Sequence, residues 1–229
     1  ANDITYAMVQ AGTDADQNLI GVMGSNAVLH GGLGNDTLTG NNGNDTLYGD
    51  EGTDTVSGAA GNDSLYGGSD NDTLDGGEGS DVVEGGDGDD VLRAGSTTSY
   101  DQNDVLRGGA GNDTLVAANG GYYTSNVLEG GTGNDTLTGG LYQDRYNFTL
   151  GDGQDTITDA GSNGNNANYQ DRIVFGAGIN PADVTASRVG NNLVLSVANS
   201  TDQITVNGWF TNSNNQIEFV QFAGGITWT

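Results

Sequence analysis

The chain repeats itself every nine residues, and no other feature constrains its fold as strongly, because units this short must stack on one another rather than close cores of their own. From Gly31 it reads GGLGNDTLT, GNNGNDTLY, GDEGTDTVS, GAAGNDSLY, GGSDNDTLD, GGEGSDVVE and GGDGDDVLR without interruption to Arg93. After an insertion at residues 94–98 the frame resumes with SYDQNDVLR and GGAGNDTLV. A second insertion, 117–120, precedes GYYTSNVLE, GGTGNDTLT and GGLYQDRYN, and Phe148 and Thr149 offset a last unit, LGDGQDTIT. The sixth place of the unit is Asp36, Asp45, Asp54, Asp63, Asp72, Asp81, Asp90, Asp104, Asp113, Asn126, Asp135, Asp144 and Asp155, so aspartate fails once in thirteen. The eighth place, from Leu38 to Ile157, is apolar or aromatic every time.

The first six places, rich in Gly, Asn and Asp, read as a turn that visits positive φ or brings backbone close to an ion. The last three read as a strand whose alternation points only the middle residue inward. That core is thin. One buried Leu or Val gains about 1.5–3 kcal/mol, whereas fixing nine backbones costs about 9–18 kcal/mol. Stacking also lines up the aspartates as like charges, so a divalent cation must offset both effects.

Composition points the same way. With 31 acidic and 5 basic side chains the formal charge is −26, which excludes binding nucleic acid through a basic face or docking on an anionic membrane. Carboxylates and turn carbonyls are hard oxygen donors suited to Ca²⁺, whereas Zn²⁺ would want His or Cys; His30 is the one histidine and cysteine is absent. No apolar run approaches the length of a membrane-spanning helix. The opening ANDITYAMVQ lacks a basic region, an apolar region and an initiator Met, and reads as an excised fragment.

In register, the units are similar to GGxGxDxUx, the calcium-binding nonapeptide of the RTX (repeats-in-toxin) family, and residues 22–159 resemble an RTX domain. The resemblance implies an all-β fold, a right-handed parallel β-roll with two nonapeptides per coil and calcium between stacked turns. The implied ligands are the twelve aspartates of the sixth place. One edge would carry Asp36, Asp54, Asp72, Asp90, Asp113, Asp135 and Asp155. The other would carry Asp45, Asp63, Asp81, Asp104, Asn126 and Asp144, with Asn126 its weak point. One ion between adjacent turns gives about six on the first edge and about three or four on the second, hence about nine Ca²⁺ in all. The family also implies export through the type I secretion machinery of Gram-negative bacteria, with folding in calcium-rich medium outside the cell, as part of an adhesin or toxin. A monomer is expected, with no membrane insertion and no nucleic-acid partner.

Three segments follow from the frame: a lead-in at 1–30, with Ala27 where Asp belongs, the roll at 31–159, and a β-rich C-terminal cap at 160–229. All five Phe and both Trp lie after residue 147, so the core shifts there. Strands are expected near 172–175, 184–189, 193–197, 203–206 and 216–222, with a hairpin turn at Gly190 to Asn192 and Trp209, Phe210, Ile217 and Phe222 in the core. This run also resembles the module that follows repeat blocks in RTX adhesins and toxins. The two insertions fall on one edge and are expected to touch, presenting Tyr100, Tyr122 and Tyr123 as a possible ligand contact.

HExxH, GxSxG and a Ser/His/Asp set are missing, so the chain is expected to be no enzyme, although it could be an accessory module of a secreted polysaccharide- or protein-modifying enzyme. Two surface readings complete the set. Thr37, Thr55, Thr73, Thr114 and Thr136 recur on one outward face, interrupted by Val91, either as a flat lattice that could recognise ice or because strands favour Thr at exposed positions. Tyr48 and Tyr66 should stack, as a glycan platform or as cross-strand packing. His30 falls at an outward ninth place.

Overall fold

A computed structural model describes residues 8–95, 103–117, 125–159, 170–211 and 216–229. The described chain forms two facing sheets of eleven strands, and through the repeats it alternates between them, strand by strand. The first sheet runs Met8–Ala11, Ala27–Leu33, Thr46–Glu51, Ser64–Ser69, Val82–Asp87, Val105–Ala110, Ser125–Thr132, Gln143–Phe148, Arg172–Phe175, Phe219–Phe222 and Thr227–Trp228. The second runs from Asn18–Ile20 through Thr37–Asn42, Thr55–Ala60, Thr73–Glu78, Val91–Arg93, Thr114–Val116, Thr136–Thr138 and Gln154–Thr158. It ends with Gln203–Val206, Asn192–Val197 and Val184–Val189. Pairing through the repeats is parallel and in register, Leu47 beside Leu65 and Leu38 beside Val56. The architecture is an all-β parallel β-roll of two nonapeptides per coil.

The strands are longer than the predicted triplets. Most have six residues, such as Thr55–Ala60, and run on through the first three places of the next unit. The burial pattern of Thr37–Asn42 shows why: the inward face takes Leu38 and then Gly40, after Asp36 just before the strand. Three places in each unit therefore point inward (sixth, eighth and first), and the turn shrinks to a short bend. Left-handed backbone occurs at the second and fourth places: Gly68 (φ 126°) and Gly86 (φ 122°) at the second, Gly52 (φ 125°) and Gly61 (φ 133°) at the fourth. Asn41, Asp50 and Ala59 at the second place and Asp70 at the fourth also take positive φ, at 74–78°.

The core is a double column of single side chains. Leu29, Leu47, Leu65, Val83, Leu106 and Leu128 on one sheet face Leu38, Val56, Leu74, Leu92, Leu115 and Leu137 on the other, all of them buried. Met8–Ala11 and Asn18–Ile20 pair in parallel with Ala27–Leu33 and Thr37–Asn42, so the described part of the lead-in is itself a coil.

Beyond the repeats both sheets continue. Arg172–Phe175 and Phe219–Phe222 extend the first sheet in parallel, and Gln203–Val206 extends the second before the hairpin of Asn192–Val197 and Val184–Val189 turns antiparallel. Aromatic rings replace leucine here: Phe148 meets Phe175 edge-on at 6.5 Å, Phe175 stacks on Phe222 at 5.3 Å, and Trp228 closes on Phe222 at 4.8 Å. Ile217 and Phe222 are buried and Trp209 packs against the core. Phe210, expected in the core, is instead 41% exposed and lies under the Arg188 guanidinium, 4.4 Å from its ring centroid.

Candidate metal centres

Each strand is entered by the aspartate of the sixth place, and alternation turns that side chain inward. All twelve of the predicted aspartates are buried, at 0–2% exposure. They form two rows along the roll, in the order the frame requires. In the first row the backbone N–H of Asp36 donates to Asp54 Oδ1 (2.6 Å), Asp54 to Asp72 (2.8 Å), Asp72 to Asp90 (2.8 Å), Asp90 to Asp113 (2.8 Å), Asp113 to Asp135 (2.8 Å) and Asp135 to Asp155 (2.7 Å). In the second, Ala27 donates to Asp45 (2.6 Å), Asp45 to Asp63 (2.7 Å), Asp63 to Asp81 (2.8 Å) and Asp81 to Asp104 (2.9 Å). The step to Asn126 Oδ1 is longer, at 3.2 Å.

These bonds use one carboxylate oxygen and leave the other. Oδ2 of Asp36, Asp45, Asp54, Asp63, Asp72, Asp81, Asp90, Asp104, Asp113, Asp135 and Asp155 is buried and meets no donor. The space before it is kept open by the first-place glycine. A Cβ built on Gly49, Gly67, Gly85 or Gly108 would lie 2.2–2.3 Å from Oδ2 of Asp54, Asp72, Asp90 or Asp113. A buried anionic oxygen without a donor is costly, and a cation is the natural occupant of a position that no side chain may enter. Burial, aided by nearby aspartates inside and outside the row, raises Asp54 and Asp90 to about 6, Asp63, Asp72 and Asp113 to about 7, and Asp155 to about 8, against the lowering effect of the backbone N–H bond. The rows fit calcium. They contribute one carboxylate per turn, so the rest of a six- to eight-oxygen shell must come from neighbouring turns and carbonyls.

The fifth place explains the recurrent Asn-Asp pair. On the outside of the turn, Asn35 Oδ1 accepts from Thr53 N–H (2.9 Å), Asn44 from Asn62 (3.0 Å), Asn62 from Ser80 (3.0 Å) and Asn112 from Asn134 (3.0 Å). This outer ladder runs opposite in sense to the inner aspartate ladder, so each turn is held to both neighbours. Sequence reasoning passed over it, because the amide recurs less strictly than the carboxylate, with Thr53, Ser80, Asp89 and Ser125 among the exceptions.

The second row does not stop at Asp144. Asp144 N–H donates to Asp171 Oδ1 (2.7 Å), and Asp171 N–H donates to Glu218 Oε2 (2.8 Å). Asp152, Asp159 and Asp202 are also buried, and none of these five acidic residues was foreseen. The signal was present, since Asp171-Arg172-Ile173 repeats the spacing of Asp144-Arg145-Tyr146.

Outward residues stack as well. Tyr48 and Tyr66 lie 4.9 Å apart at 10°, and His30 adds a third ring 4.4 Å from Tyr48 at 7°, with its Nδ1 3.2 Å from Asp50 Oδ2. The rings cover one another's faces, an arrangement that serves cross-strand packing better than a sugar platform. The threonine column is in register from Thr37 through Thr55, Thr73, Val91, Thr114 and Thr136. Tyr100, Tyr122 and Tyr123 lie outside the described residues.

A parallel β-roll with two inward rows of aspartate belongs to the class of calcium-binding nonapeptide solenoids. Four segments, 30–65, 66–96, 99–123 and 120–141, match the RTX calcium-binding nonapeptide repeat, and residues 192–229 match the haemolysin-type calcium-binding protein related domain. The chain therefore carries an RTX calcium-binding domain. No curated protein matches it. Among solved structures, extracellular lipase LipA from Serratia marcescens is similar at 18% identity over 86% of this chain, with a TM-score of 0.20. This chain spans 40% of that one.

Proposed function

We propose that this chain is a non-catalytic module that folds when calcium enters the aspartate rows, and that it serves the export and extracellular folding of a larger adhesin or toxin made by a Gram-negative bacterium. The observation that carries this reading is the series of eleven row aspartates whose Oδ2 is buried without a donor beside glycines that leave room for an ion. About six ions in the first row and three or four in the second give the module about nine. Extracellular calcium modules bind at about 10⁻⁴–10⁻³ M, so the sites would be empty in the cytoplasm and filled outside, and binding energy becomes folding energy. Calcium titration followed by circular dichroism tests this. The expected result is a cooperative gain of β structure with Ca²⁺ that Mg²⁺ does not reproduce, and a chain fully folded in chelator at neutral pH would refute it.

A further inference from the structure

The last coil of the roll differs from those before it. Along the second sheet, Thr39, Ser57, Asp75, Arg93, Val116, Thr138 and Thr158 are in register, so the residues that follow them share one inward place. That place is Gly40, Gly58, Gly76, Ala94, Ala117, Gly139 and finally Asp159. Where earlier coils carry no side chain or a single methyl, the last carries a carboxylate. It points to the same edge that Asp144 and Asp171 reach from the first sheet.

One oxygen from each of Asp144, Asp159 and Asp171 lies within 4.8 Å of the other two, and among the described residues this is the one place where three carboxylates gather so closely. All three are buried, at 0–2% exposure. Asp171 Oδ1 takes the Asp144 N–H, while its Oδ2 has no donor. The Tyr146 hydroxyl donates to Asp159 Oδ2 (2.6 Å), and Asn126 Nδ2 and Gly140 N–H donate to the two oxygens of Asp144 (2.9 and 2.5 Å). A Cβ on Gly139 would meet Tyr146 Oη and the carboxylates of Asp144 and Asp159, so this glycine keeps the centre open. Arg145 and Arg172 fall on the opposite face of their strands.

We propose that Asp144, Asp159 and Asp171 hold one calcium ion at a site built differently from those of the repeats, and that this ion ties the last coil of the roll to the C-terminal strands. Ligands on opposite sides of an ion with Ca–O distances of about 2.3–2.6 Å are about 4.6–5.2 Å apart, so carboxylates within 4.8 Å need little movement to share it. The donors are all oxygen, which disfavours Zn²⁺, and the site is buried, which leaves little room for the waters Mg²⁺ retains. Arg172–Phe175 follows Asp171 directly and pairs with Phe219–Phe222, whose preceding residue Glu218 receives the Asp171 N–H, so an ion here anchors two strands of the C-terminal segment. The proposal stands apart from calcium-triggered folding of the repeats and does not need it.

The test is equilibrium binding of radioactive Ca²⁺ to the full chain and to the variants Asp159→Asn, Asp171→Asn and Asp159→Gly, the last restoring the residue most coils carry at this place. Each variant should bind one ion fewer per chain at saturation, with wild-type circular dichroism in excess calcium. Amide exchange should quicken in residues 172–175 and 219–222 and stay unchanged in 55–60. An unchanged ion count in Asp159→Asn and Asp159→Gly overturns the proposal, and so does an unchanged count with greater heat resistance, the signature of carboxyls sharing a proton. A wild-type chain that folds without calcium, yet loses one bound ion on Asp159→Gly, would refute the folding reading and support this site.

Discussion

Removing calcium should make the fold of this chain depend on acid. The row aspartates sit at 0–2% exposure, and Asp63, Asp72, Asp81 and Asp113 are raised from 3.8 to about 7, chiefly by burial. A tenfold change in proton affinity is worth about 1.4 kcal/mol, so ionising any one of them costs the metal-free fold on the order of 4 kcal/mol. Three such groups match the entire stability of an ordinary domain, about 5–15 kcal/mol. The sign follows from proton affinity: the folded carboxylates hold protons more tightly than the unfolded ones. Stability of the calcium-free roll is therefore greatest below about pH 4 and is lost as pH rises through about 6 to 8.

The assay is far-ultraviolet circular dichroism of resin-stripped protein from about pH 4 to about pH 8, with a calcium arm at neutral pH. Acid should give β structure, neutrality should abolish it, and calcium should restore it. In the double variant Asp63→Asn, Asp81→Asn, neighbours in one row lose their charge but keep an oxygen for the N–H ladder, so more β structure should survive at neutral pH without calcium. A calcium-free signal that is flat across this range, or that grows toward neutrality, would refute the reasoning.

Asn126→Asp should raise the bound calcium count by about one and weaken the calcium-free fold, because it completes the second row while removing the amide donor to Asp144 Oδ1; isothermal calcium titration reads the count and circular dichroism of the calcium-free chain in acid reads the fold. Gly67→Ala places a Cβ 2.3 Å from Asp72 Oδ2 and 2.6 Å from the Gly85 carbonyl, an overpacking cost of about 1–3 kcal/mol, which shared over about nine linked ions should raise the calcium concentration at the folding midpoint by about 1.2- to 1.8-fold. Gly224→Ala, with open space around it, is the control and should leave the midpoint unchanged. Leu65→Ala deletes a fully buried side chain flanked by Leu47 and Val83 and should cost about 2–5 kcal/mol, lowering the melting temperature of the calcium-loaded protein by about 5–15 °C in calorimetry.

How far the sequence could be read depended on whether chemistry recurred at the period. Asp36 to Asp155 and Leu38 to Ile157 repeat at fixed places, so a single register assigns their row, their face and their neighbours. The length of the strands was not legible in the same way, because the first-place glycine looks like turn material by propensity. Only stacking reveals that Gly40 or Gly67 is an inward position emptied for a carboxylate. Phe210 misled for the converse reason: its apolar character suggested the core, but Arg188 across the hairpin offers its ring a cation at the surface.

The period itself fails between Asp159 and Asp171, and with it the inference. Asp159 stands nine residues after Leu150, just past the last unit, whereas the sheet places it in the column of Gly139. Asp171 is brought to Asp144 by pairing across a long connection, with Arg172 beside Arg145. A repeat can be read by counting only while the count holds. Where it lapses, the same rule that built the rows, an inward carboxylate beside an emptied glycine, still identifies the site, but strand pairing rather than sequence distance must supply the neighbours.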